Sequence, residues 1–272
     1  VANKFWVGGS GTWDGGTLDS GFWRTATGGS TVTTAPTSAD VAIFDGLSGG
    51  GTVTVAGNMT VSGVTCSAHT GTLDFASSNM TFNSTTSLAA QGTHTVRWGS
   101  GFHTFKGNLN YNTAGGGTLT VDAGTATLNF QPTGQGGGTM IPGICAHRLR
   151  LTGLLTNGVF AQWNSTGGST FSVNYFEIDN SNGGPIIFTL NGTTMTVNNS
   201  FHLAGRPTAP IYFRGVSGIG TMNVAAGQSG FVDWFHSYGF TFGSGITLRN
   251  GYDGMANGNI IVPPQATAIG AL

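Results

Sequence analysis

The stretch GTLDFASSNMTFNS, residues 71 to 84, repeats almost phrase for phrase the stretch GTVTVAGNMTVSG at residues 51 to 63. Each opens on Gly-Thr, alternates apolar and polar residues, turns on small polar residues and resumes with Met-Thr. Further openers, GTHTV at 92 to 96 and GTLTV at 117 to 121, place the phrase at Gly51, Gly71, Gly92 and Gly117. A recurrence of roughly 20 to 25 residues is that of solenoid rungs. The second strand keeps step as NMTV at 58, NMTF at 79, FHTF at 102 and TATL at 125. A hairpin answers only to its own partner strand. A parallel coil needs like residues at like offsets, because each position lies over its counterpart in the turn below.

With period-two alternation, Val53, Leu73, His94 and Leu119 are expected to form one inward column, and Val55, Phe75, Val96 and Val121 another. Thr52, Thr72, Thr93 and Thr118 are expected to face out. Glycine runs at 48 to 51, 114 to 117 and 134 to 138 supply bends. The pattern loosens after Phe130 and returns as GTTMTVNN at 192, GTMNVAAG at 220 and GITLRNG at 245. ICAHRLRLTGLL, interrupted by Gly153, reads as strand and corner rather than helix. The expected fold is all-β: a parallel β-helix, right-handed being the commoner form, with a β-sandwich as the alternative. Residues 1–46, rich in Trp and without a clear rung, read as an N-terminal aromatic cap, residues 47–250 as the β-helix and residues 251–272 as a C-terminal docking tail.

Only 7% of the 272 residues are charged, against 48 glycines, so the surface is expected to be hydroxyl and amide. Nine Lys and Arg and a net charge of -1 give no electrostatic footprint for nucleic acid. No apolar run is long enough for a transmembrane helix, and VANKFWVGG has neither the apolar core nor the cleavage pattern of a signal peptide. No membrane or nucleic-acid partner is therefore expected. Cys66 and Cys145 are too few for a disulfide framework and read as small buried thiols, a bridge between them being the lesser alternative.

FWVGGSGTWDGG at 5 to 16, then APTSADVAIFDG at 35 to 46 before GGGTVTV, resembles the opening of β-helical virion surface proteins of tailed bacteriophages. FVDWFHSYGFTFGSG at 231 to 245 and GYDGMANGNIIVPP at 251 to 264 are similar to the closing segment of that group. Related β-helical segments occur in bacterial surface adhesins. The resemblance implies a structural protein that folds in the host cytoplasm and joins the virion, as capsid decoration or as part of a tail or fibre. Its expected partners are copies of itself, in a homotrimer, and virion proteins such as the major capsid protein. The low surface charge and the apolar FVDWF and IIVPPQATAIGAL stretches also suggest self-association. The matched motifs carry no catalytic residues, so no enzyme activity, cofactor or metal is expected.

Candidate chemistry is sparse. Glu177 and Asp179 lie two apart on a strand, roughly 6.6 Å in backbone terms, a spacing an inverting glycosidase could use. Their alternation with Phe176 and Ile178 reads equally as a solvated face. Asp253 with Asn250, Asn257 and Asn259 offers oxygen ligands for calcium, but the loop reads better as a turn tolerant of positive φ. His94 and His103 fall at inward positions of one rung and are expected to approach each other without a third ligand. Trp6, Trp13 and Trp23 could stack on sugars, with host surface glycans as partners, or plug the end of the coil, the favoured reading.

Overall fold

The computed structural model describes residues 1–15, 21–89, 92–112, 116–132, 135–152, 159–165, 170–180, 186–206, 208–215 and 218–253. Among these the chain has no helix and winds as a β-solenoid, each turn laying its strands parallel on those of the turn before. The sandwich alternative is thereby excluded. One face is a twelve-stranded sheet running from Trp23–Arg24 and Asn3–Trp6 at one end to Tyr252–Asp253 at the other. A first side face starts with Gly11–Asp14 and climbs through Thr52–Ala56, Thr72–Asp74, His94–Arg97 and Leu119–Asp122. A second starts with Met59–Val61 and climbs through Met80–Phe82, Phe102–Phe105 and Thr127–Phe130.

The loosening after Phe130 has a structural cause. Gly143–Thr152 and Thr170–Asp179 are ten-residue strands that run across both side faces without the corner that earlier turns place between them. Thr127–Phe130 pairs with the later half of Gly143–Thr152, and Leu119–Asp122 lies against the same strand. A turn later, Thr194–Val197 pairs with the early half of Thr170–Asp179, and Phe201–Ala204 packs against that strand. The two faces then resume separately, as Gly220–Val224 and Phe240–Phe242, and as Gly230–Asp233 and Ile246–Arg249.

The expected columns exist in corrected register. Val53 pairs with Leu73, but Leu73 pairs with Val96 and not with His94, and Val96 pairs with Val121. Thr93 and Thr118 do face out, but the threonines stacked in one column are Thr52, Thr72, Thr95 and Thr120. The slip is two positions, so inward residues stay inward. It was concealed because the Gly-Thr phrase moved along the rung while the strand did not. On the second face Phe82, Phe105 and Phe130 occupy one position in three successive turns. Their rings stack at 4.8 and 4.9 Å, the separation of neighbouring strands.

The first 46 residues share ladders with the coil, so the boundary expected at residue 46 is not a boundary of pairing. Gly11–Asp14 pairs with Thr52–Ala56, and Asn3–Trp6 with Val41–Phe44. The end is closed by Trp23–Arg24, whose pairing with Asn3–Trp6 is the one antiparallel pairing of named strands among the described residues. Within FVDWF, Val232 and Phe235 are buried inside the coil, while Phe231 and Trp234 are half-buried. Of the expected docking tail, Tyr252–Asp253 continues the twelve-stranded sheet, and residues 254–272 lie outside the described residues.

Candidate surface and core sites

The parallel register sets Arg150 beside Glu177 and Thr152 beside Asp179. Arg148 Nη1 reaches Glu177 Oε2 at 3.2 Å, Arg150 Nε reaches Glu177 Oε1 at 3.3 Å, and Arg150 Nη2 reaches Asp179 Oδ2 at 2.5 Å. Two guanidiniums from the turn below thus engage both carboxylates, Glu177 being the one glutamate of the chain. A glycosidase presents both of its carboxyl groups to the scissile bond, and here each is taken up by an arginine of the turn below. Arg148 also lies over the Tyr175 ring at 4.9 Å. Beside it, Asn198 Nδ2 donates to Asn174 Oδ1 at 3.0 Å, and Asn174 Nδ2 lies 3.2 Å from His147 Nδ1. A second outward ion column stands on the first face, where Arg97 lies between Asp74 and Asp122 at 3.9 and 3.8 Å.

Trp6, Trp13 and Trp23 are 0%, 0% and 1% exposed, which leaves no ring face for a sugar. They pack edge to face around one another, with Trp23 5.3 Å from both Trp6 and Trp13, and all three lie about Phe44. Phe22 stacks on Trp6 at 4.5 Å. Trp6 Nε1 donates to Gly9 O at 2.9 Å. Their large area and the offset geometry their quadrupoles prefer make them an efficient closure for the open end of a coil. The three rings therefore plug the end of the coil and offer no stacking surface to a sugar.

His94 and His103 do not face each other. Both point inward, but they sit on different side faces with Trp98 between them in the chain. His103 lies 5.1 Å from the Trp98 ring and 5.3 Å from that of Phe75, with Nε2 2.9 Å from Trp98 O. The neighbour of His94 is His69, at 6.0 Å between rings, a residue the strand pattern did not flag because it lies in a corner. Both nitrogens of His69 and His94, and Nδ1 of His103, are buried without a hydrogen-bond partner. Burial drives His69 and His103 down to about 4 and lowers His94; His94 further depresses His69, while Asp45 opposes. No group of three or more His, Cys, Asp or Glu among the described residues is placed to hold a metal ion.

Cys66 and Cys145 are free and buried, and burial pushes both thiols up to about 12. Asn250 has φ of 45° and its Nδ2 donates to Asp233 Oδ1 at 2.8 Å, as a turn residue does. Asn257 and Asn259 lie outside the described residues, as does the Asp253 side chain.

One concavity stands apart from these clusters. Near the base of the second face, residues 34–38 and the turn into Met59–Val61 enclose an open cleft of about 530 Å³, with Gly15 at its edge. The two segments are distant in sequence, so no local motif announced it. Comparison of the chain with known families, with curated proteins and with solved structures finds no match.

Proposed function

We propose that this coil is a non-enzymatic structural protein exposed on a bacteriophage particle, as capsid decoration or as part of an appendage. The observation that carries the non-enzymatic part is the fate of Glu177 and Asp179. The pair spaced for acid–base work is held by Arg148 and Arg150 in an interstrand ladder, a use that ties neighbouring turns together and occupies both carboxylates. The virion placement rests on the terminal stretches at 5 to 16, 35 to 46 and 231 to 264, which resemble β-helical virion surface proteins. A rigid column of repeated turns suits such a role, since each turn contacts only its neighbours and length is gained by repetition. The proposed partners are two further copies, in a homotrimer, and the major capsid protein.

The test is a reconstruction of intact particles from a host carrying the gene, combined with mass spectrometry of their protein content. Many copies on the shell would identify decoration, and a few at one vertex an appendage. Absence of the chain from purified particles would overturn the reading. A second reading, a carbohydrate-binding adhesin or receptor-binding spike, is favoured by the open cleft beside Met59.

A further inference from the structure

Ligand sites are concave, largely pre-formed, and of a few hundred Å³, with apolar walls and a few placed polar groups. The cleft by Met59 meets each condition. Its volume is about 530 Å³. Its apolar side is the edge of Met59, 9% exposed, with Ala35 and Pro36 buried behind it. Gly15 keeps that surface open: a Cβ there would come 2.9 Å from Met59 Cγ. The polar rim is Thr34, Asn58 and Thr60.

The wall is fixed before any ligand arrives. Thr37 donates from both its N–H and its hydroxyl to Asp40 Oδ2, at 3.1 and 2.8 Å, and the Asp40 N–H returns a bond to Thr37 O at 2.9 Å. Asn83 Nδ2 donates to Ser38 O, and the Ser62 N–H to Asp40 O, tying the loop to the coil. Across the cleft, Asn58 Oδ1 accepts the Asn79 N–H at 2.9 Å. That bond orients the amide and leaves its NH₂ as a donor. A site ordered in advance loses less entropy when it binds.

The lining carries no charged residue. An ionic ligand would leave water without a counter-charge, so the chemistry favours a neutral molecule. It must also have one apolar side, for Met59, and a rim of hydroxyls or amides, for Thr34, Asn58 and Thr60. A pyranose ring has that division, with C–H groups on a face and hydroxyls at its edge. We propose that this cleft binds a neutral saccharide unit, its C–H face against the exposed edge of Met59 and its hydroxyls on the Thr34, Asn58 and Thr60 rim. The inference is independent of the virion reading, because a saccharide site serves a coil on any surface.

The experiment is a screen of the purified full chain against neutral and acidic glycans, followed by saturation-transfer NMR and titration on the best neutral saccharide. Two obstructing variants, Ser38→Trp on one wall and Thr60→Trp on the other, are compared with Thr104→Trp, two turns up the same outward column as Thr60. The expected result is binding of a neutral saccharide, weakened at least about tenfold by Ser38→Trp and by Thr60→Trp and unchanged by Thr104→Trp. Ser38 and Thr60 have exposed side chains, so the substitutions are compatible with folding, which matching circular dichroism and melting curves verify. Failure of every neutral saccharide to bind at millimolar concentration overturns the proposal. So does binding that both obstructing variants leave intact, or selective binding of acidic glycans or of extended peptides.

Discussion

Phe105 and Phe130 stack with ring centroids 4.9 Å apart and planes 13° from parallel, at the same position of consecutive turns. Phe82 continues the stack at 4.8 Å. Flat rings meet at this distance because the strands beneath them do. Phe105→Ala removes the middle ring of the column and leaves a cavity between two others. The expected cost is about 3–5 kcal/mol, read as a lower urea midpoint. Phe105→Leu, which keeps much of the volume, is expected to lose less.

The corner between the first and second faces is also a column. Ala76, Gly99 and Gly124 have φ of 49°, 67° and 52° in three successive turns, and the Ser100 and Thr125 N–H groups bond to Ala76 O and Gly99 O. At Gly99 a Cβ would lie 1.7 Å from Ala76 O. Gly99→Ala is therefore expected to destabilise by more than the roughly 1–2 kcal/mol of left-handed strain alone. Ala76→Gly relieves strain at the cost of unfolded-state entropy, so a small gain is expected. Thermal melts of the two variants should move in opposite directions.

Mild acid is expected to weaken the coil through its buried histidines. Burial holds the folded pKa of His69 and of His103 at about 4, against the ordinary 6.5. Between those values the unfolded chain binds protons that the folded chain refuses, so stability falls as pH falls from about 6.5 toward 4. It is fully present above that window. His69 faces the ring of His94 and that of Phe44, and feels the carboxylate of Asp45. His69→Leu should shrink the difference between urea midpoints at pH 7 and pH 5. An unchanged difference would remove His69 from the account.

The Glu177→Gln, Asp179→Asn double variant is expected to cost no more than about 1 kcal/mol per pair, because the side chains remain 37% and 22% exposed. Raised salt should shrink the difference between variant and parent. Any polysaccharide cleavage by the parent that the double variant abolishes would show the pair to be catalytic.

Much of the architecture was legible in the chain. Val53 over Leu73 and Met59 over Met80 could be read directly, because repeated phrases mark repeated geometry. The step from Leu73 to Val96 could not, since a corner absorbed the slip and period-two alternation hides a shift of two. The fused faces at Gly143–Thr152 were visible only as a loss of pattern. Trp6, Trp13 and Trp23 were readable as a plug because that many indoles need a shared core. His69 was missed for want of an alternating strand around it. The cleft was invisible because Pro36 and Met59 meet only when the chain has wound through a full turn.

The central claim is that turns of this chain stack in one direction, and spin-label distances test it most directly. With one label at Thr72, partners at Thr170, Thr194, Thr221 and Thr241 lie progressively further along the first face. The buried thiols of Cys66 and Cys145 should stay unlabelled in the folded protein. The account predicts narrow distance distributions that lengthen in that order, by roughly 4.8 Å for each turn. Distances that fail to lengthen with each turn, or that shorten between Thr194 and Thr241, would contradict it.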